Sequence, residues 1–194
     1  MTALGQTSQM AMIIQRLFPL LVFSFFGNGC TNQNENGLEQ TKEVKEAKAA
    51  GRLLTGRVVG ISDGDTFKML LEGNKDIRVR LYGIDAPEKS QDYGTQARKA
   101  LSDLVFSKEV AVIQKSKDRY GRVVGIAYNG TTNVNEALLK SGMVWHYTDY
   151  DKNPNWAALQ TEARKQKNGL WSQSNPTPPW LWRKAKREES SEVE

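Results

Sequence analysis

Val79-Arg80-Leu81-Tyr82-Gly83-Ile84-Asp85-Ala86-Pro87-Glu88 decides how this chain is read. Arg78 and Arg80 alternate with Val79 and Leu81, the period of a strand with one buried and one solvated face. Pro87 has no N–H to give a ladder, so Asp85 and Glu88 are expected where the strand peels away. Upstream stands Asp63-Gly64-Asp65-Thr66, and downstream Asp118-Arg119-Tyr120-Gly121-Arg122. Hard oxygen donors, a candidate base and two guanidinium groups together suit metal-assisted attack on a phosphodiester.

Working outward, the pattern is that of a small barrel. Strand signals run from Leu53 through Ile61, break at Asp63-Gly64, resume over Thr66–Leu71, and return over Ile77–Tyr82. A helix is expected over about Tyr93–Phe106, with Ala97, Leu101, Leu104 and Val105 at helical spacing. Strands follow at Glu109–Gln114 and Arg122–Tyr128, then helices near Asn135–Ser141 and Asn155–Asn168. Five short strands with a helix between the third and fourth, and two C-terminal helices, make an α+β chain of the OB-fold class. That domain is expected over residues 52–172. Residues 31–51 read as a polar tether, partly helical across Glu39–Ala50. Residues 173–194 read as an extended Pro/Trp segment with docking tryptophans, Pro176 to Trp182, followed by a disordered charged tail.

The three motifs quoted above resemble the staphylococcal nuclease family, in family order and over about residues 53–172. The resemblance implies Asp65, Asp85 and the Ala86 carbonyl as ligands of Ca²⁺, in keeping with an oxygen-only donor set. It implies Glu88 as general base or water-orienting group, and Arg80 and Arg122 as guanidinium stabilisers of phosphoryl charge. Arg119 and Tyr120 become neighbours of phosphate or substrate, with a barrel-packing aromatic the equal alternative for Tyr120. Asp63 reads as a turn former, and an EF-hand is excluded because the twelfth position from Asp63 is Asn74 rather than Glu. Ala86 departs from a threonine of the family, which spares a backbone ligand and removes a hydroxyl. His146, the sole histidine, is expected to be structural, and Tyr147 and Tyr150 fall outside the expected site.

Composition agrees with a nucleic-acid substrate. The net charge of +5 arises entirely within residues 51–172, so the basic surplus sits on the expected domain and suits a polyanion. The expected activity is hydrolysis of DNA or RNA phosphodiesters with little sequence preference, by a monomeric endonuclease. The alternative is a non-catalytic nucleic-acid-binding OB module. Such a module has no use for Asp65, Asp85, Glu88, Arg80 and Arg122 together.

A single cysteine excludes an intrachain disulfide. Cys30 follows the apolar run Leu17–Phe26, too short to span a bilayer but long enough for a signal-peptide core. Residues 1–30 are expected to be a leader cut before Cys30, whose acylation would hold the protein at the periplasmic or cell surface. Initiation at Met12 would give a more ordinary leader than Met1.

Overall fold

The computed structural model describes residues 41–191. The leader expected at residues 1–30, Cys30 included, and residues 31–40 of the tether lie outside the described residues. Five long strands form the frame: β1 (Leu53–Ile61), β2 (Thr66–Leu71), β3 (Lys75–Leu81), β4 (Glu109–Lys117) and β5 (Val123–Asn129). The pairing order is β3-β2-β1-β4-β5, antiparallel throughout. β3 then pairs in parallel with β5, Val79 beside Val123 and Leu81 beside Gly125. That pairing closes the sheet into a barrel and removes its open edges.

Alternation does the sorting. Val58, Phe67, Met69, Val79, Leu81, Val110, Val112, Val123 and Ala127 point inward and are buried. α1 (Lys42–Ala49) packs on the outer face of the barrel wall, and two helices pack on this core: α2 (Gly94–Val105) and α3 (Val134–Lys140). α2 contributes Ala97, Leu101 and Val105, and α3 contributes Val134, Leu138 and Leu139. The α3 N-terminus is capped by Asn133, whose side chain accepts from the Glu136 N–H. α4 (Pro154–Lys165) begins on an Asn153 cap with Pro154 at its first position, and buries Trp156 and Ala163.

The N-terminal end of the described chain carries the helix expected within Glu39–Ala50, and the C-terminal end is more ordered than the sequence suggests. The tether contains α1, in which Thr41 caps the Val44 N–H. Val44 and Ala47 pack against Ala111, Ile113 and Tyr128 of the barrel wall, and the Tyr128 hydroxyl donates to Glu43. Burying a valine is worth about 1.5–3 kcal/mol. That decides the matter for a two-turn helix, which is marginal alone in water.

The expected extended Pro/Trp segment and disordered tail instead contain α5 (Pro179–Ser191). Pro179 opens the helix, the position where proline is tolerated because the first N–H has no partner. Lys184–Glu188 and Lys186–Glu189 pairs then line its exposed side. The tryptophans do dock: Trp180 packs beside the cluster of Trp145, Ala163, Leu170 and Trp171.

Gly64, in the turn between β1 and β2, brings three segments into contact. A Cβ there would fall 2.6 Å from Ala97 Cβ on α2 and 2.7 Å from Ala86 Cβ. No real Cβ contact is so short, so the Asp63–Thr66 turn closes on Ala86 only because residue 64 lacks a side chain. Gly64→Ala should cost about 1–3 kcal/mol of stability through overpacking. Urea unfolding checks this, and a change within ~0.5 kcal/mol, the usual size for a surface substitution, would show that the turn has room to spare.

Candidate active site

The turn that Gly64 permits is fixed by its own backbone. Asp63 Oδ1 accepts from the Asp65 N–H at 3.1 Å, an Asx turn, and Ser62 N–H donates to the Thr66 carbonyl at 2.9 Å. Asp65 is thereby turned inward. Its Oδ2 accepts the Ala86 N–H at 2.7 Å, and its Oδ1 accepts the Thr66 hydroxyl at 3.1 Å.

Asp85 arrives from another direction. Ile84–Asp85 forms a two-residue strand with Trp145–His146, Asp85 opposite Trp145. Arg80 joins the two carboxylates from the end of β3. Its Nε lies 3.1 Å from Asp65 Oδ1, and its Nη2 donates to Asp85 Oδ1 at 2.9 Å. Its Nη1 donates to the carbonyls of Leu81 at 2.7 Å and Ile84 at 2.8 Å. All three nitrogens of this guanidinium are therefore spent on the protein.

The side chains of Asp65 and Asp85 are 7% and 2% exposed, so their charges stand outside bulk water. Burial raises the Asp85 carboxyl above the ordinary carboxylate range, against the opposing pull of Arg183 and Arg80. Burial, with the Asp65 charge next to it, pushes Asp63 up to about 7. Among the described residues no three His, Cys, Asp or Glu side chains converge as ligands. The Asp65 and Asp85 carboxylates are nonetheless bridged by one guanidinium, beside the Ala86 N–H, and carboxylate oxygens are donors of the kind a hard divalent cation takes.

Glu88 lies just past Pro87 on a loop braced by Gln91, whose Oε1 accepts the Glu88 N–H at 3.2 Å. α2 presses on this loop so closely that a Cβ on Gly94 would fall 2.0 Å from the Glu88 carbonyl oxygen. Glu88 is partly exposed and joins Asp85 through a group that the sequence reading passes over, Arg183 of α5. Arg183 Nη1 donates to Glu88 Oε1 at 2.8 Å, and Nη2 donates to Asp85 Oδ2 at 2.8 Å.

Arg122 stands apart from this cluster among the described contacts. Its Nε donates to Asp118 Oδ2 at 2.6 Å, and its guanidinium lies over the Tyr120 ring at 5.6 Å. Arg119 sits over the other part of that ring at 4.9 Å. Asp118 accepts three hydrogen bonds, from Arg122 Nε and from the Tyr120 and Arg122 N–H groups. Burial is the largest single influence and acts to raise its carboxyl, but these hydrogen bonds and the Arg122 charge together hold it below the usual range. Arg122 and Tyr120 line a groove of about 430 Å³ with Lys75, Arg78 and Lys117. The carboxylates are not part of its lining; it is a basic channel with an exposed aromatic ring on one wall.

His146 is buried, its Nε2 2.8 Å from Asp151 Oδ2, and it packs edge-on to Trp156. Its burial agrees with the expectation of a partly buried histidine. Tyr147 is closer to the carboxylates than the sequence reading allows. Its N–H donates to the Gly83 carbonyl at 2.9 Å, and burial and the Asp85 charge both raise its hydroxyl. The three-residue step from Trp180 to Arg183 on one helix face is the signal that could have brought α5 into the site.

Residues 78–173 match the family model described as staphylococcal nuclease homologue. An uncharacterized endonuclease of Haemophilus influenzae is 46% identical over 133 residues, 69% of this chain and 75% of that protein. A micrococcal nuclease of Shigella flexneri is 44% identical over 144 residues, covering 68% of this chain and 82% of its own. The staphylococcal-like nuclease CAN1 of Arabidopsis thaliana is 46% identical over 113 residues, 58% of this chain and 35% of its own. The family match takes in Arg80 through Arg122, whereas Asp63–Thr66 precede it.

Proposed function

Because the chain belongs to the staphylococcal nuclease family, whose members it resembles in sequence and in its closed five-stranded barrel, we propose that its nuclease activity is Ca²⁺-dependent and acts on DNA or RNA with little sequence preference. The observation that carries this reading is the buried pair Asp65 and Asp85, tied to one another by Arg80 beside the Ala86 backbone. Asp65, Asp85 and the Ala86 carbonyl would hold the cation. When bound, Ca²⁺ supplies Lewis-acid stabilisation of charge on the phosphoryl oxygens.

The remaining work falls to the chain's own side chains. Glu88, partly exposed at the lip of the pair, takes the proton from the attacking water or orients that water. Arg122 receives phosphoryl charge, its side chain braced by Asp118 so that the fork is pre-aimed. Arg80 is proposed to stabilise phosphoryl charge as well, and its hydrogen bonds support an added role as the brace of the ligand pair. The groove of Lys75, Arg78, Lys117 and Tyr120 suits a strand held by phosphate charge and by stacking on a base, neither of which reads base identity. A binding module alone has no need of two desolvated carboxylates, each costly to bury.

The two arginines are separable. Lysine keeps the charge and loses the planar fork. Arg122→Lys should lower kcat by about 100–1,000-fold, the usual worth of one donor aimed at developing charge, with Ca²⁺ affinity unchanged. Arg80→Lys should lower kcat and weaken Ca²⁺ binding together, because its fork orients both carboxylates. Kinetics and calorimetric Ca²⁺ titration of each variant check this; near-wild-type turnover of both would remove the arginines from the chemistry.

We further propose export, with a lipid anchor at Cys30. The apolar run Leu17–Phe26 followed by Gly27-Asn28-Gly29-Cys30 supports this, and it keeps a nonspecific nuclease away from the genome. Membrane hold would come from acyl chains at about 0.8 kcal/mol per buried CH₂. Cys30→Ser should move activity from the membrane fraction to the soluble fraction. A wild-type protein found soluble, with an unmodified Cys30 by mass spectrometry, would refute the anchor.

A further inference from the structure

The Arg183 guanidinium engages both oxygens of Asp85, Nη2 at 2.8 Å from Oδ2 and Nη1 at 3.3 Å from Oδ1. Nη1 also reaches Glu88 Oε1 at 2.8 Å. Since Arg80 holds Asp85 Oδ1 as well, two cationic side chains engage both oxygens of the carboxylate through three hydrogen bonds. A hard divalent ion needs those same oxygens, and its two charges would repel a guanidinium seated on them. Arg183 and a bound cation therefore exclude one another at Asp85.

The helix carrying Arg183 is seated lightly and fastened upstream. Three residues before it, Trp180 lies flat on Tyr147, rings 5.1 Å apart and 3° from parallel, with its edge toward Trp145 at 5.7 Å. Beyond Pro179 no residue of α5 is buried, and Leu181 is 49% exposed. The segment leading to α5 is tied to the loop after Glu88 at three places. Tyr93 and Ser172 hydroxyls lie 2.7 Å apart, Gln173 donates to Asp92 at 3.0 Å, and Gln91 donates to the Thr177 carbonyl. α5 can thus leave its seat while the chain before it stays in place.

We propose that α5 is an intramolecular latch in which Arg183 competes with the divalent cation for Asp85 and Glu88, and Trp180 covers the face of Tyr147. This deepens the reading of Asp85 as a cation ligand and rests on it. Cation binding and release of α5 are one coupled equilibrium, so the latch weakens apparent cation affinity by the fraction of molecules it holds shut. Release frees the carboxylates and an aromatic face on which a base can stack in the same motion.

The test is calorimetric Ca²⁺ titration of the wild-type protein, Arg183→Ala and Trp180→Ala, each checked for fold by circular dichroism. Arg183→Ala should tighten Ca²⁺ binding about tenfold, as for a latch closed about nine-tenths of the time. Trp180→Ala, which touches neither carboxylate, should tighten it about threefold by loosening the seat. Unchanged or weaker binding in Arg183→Ala overturns the latch, and weaker binding would make Arg183 part of the site's own machinery. Tightening in Arg183→Ala without any in Trp180→Ala also overturns it, leaving a local charge effect with no helix movement. Absence of Ca²⁺ binding in all three proteins would overturn the Ca²⁺ reading itself, and the latch with it.

Discussion

Two carboxylates withdrawn from water a few ångströms from one another are the constraint around which this molecule is arranged. Asp65 and Asp85 cannot both be charged there without positive partners. Arg80 answers that need from the end of β3, bridging the pair with Nε and Nη2 while Nη1 is anchored on the Leu81 and Ile84 carbonyls. Because the arginine is itself anchored, the carboxylates are fixed in orientation, with one positive charge shared between them. Pre-set groups of this kind need no rearrangement when charge develops, which is where enzymes gain most.

The barrel makes that arrangement rigid. Thr66 opens β2 opposite Arg80 of β3, so Asp65 and Arg80 are set by neighbouring register positions. The parallel β3–β5 pairing brings Arg80 beside Val124 and carries Arg122 to the same region of the barrel. α2 locks the two loops from outside, packing Ala97 onto Gly64 and Gly94 onto the Glu88 backbone. Positions that tolerate no side chain are therefore found at the contacts between the site's segments. α5 is held differently, by a stacked ring and two ion pairs instead of a buried core.

Much of this was legible in the amino-acid sequence. The period-two run around Val79 and Leu81 and the apolar spacing of Ala97, Leu101 and Val105 specify buried faces directly, and the barrel follows from them. The carboxylates were legible because their turns carry local signals in Asp63-Gly64 and Pro87. The helical stretch that contains α1 was legible too, though not its docking on the barrel; α5 was harder, since it is held by contacts with residues far away in the chain, such as Trp180 against Tyr147. Pro176, Pro178 and Pro179 argue locally for extended chain, yet the last of them starts a helix. Arg183 is a distant basic residue in a charged tail, and only the tertiary fold gives it Asp85 and Glu88 as partners. Tyr147 comes near Asp85 through the two-residue strand pair at Trp145–His146, which is too short to leave a period in the sequence.

The central claim is that Asp65 and Asp85 hold a divalent cation on which phosphodiester cleavage depends. Digestion of plasmid and single-stranded DNA by the purified protein, with Ca²⁺ or with excess chelator, tests it when Asp85→Asn is run beside the wild type. The account predicts that both DNAs are cut in Ca²⁺, that chelator stops the reaction, and that Asp85→Asn is inert in either condition. Equal cutting in chelator, or an Asp85→Asn protein that turns over like the wild type, would contradict it.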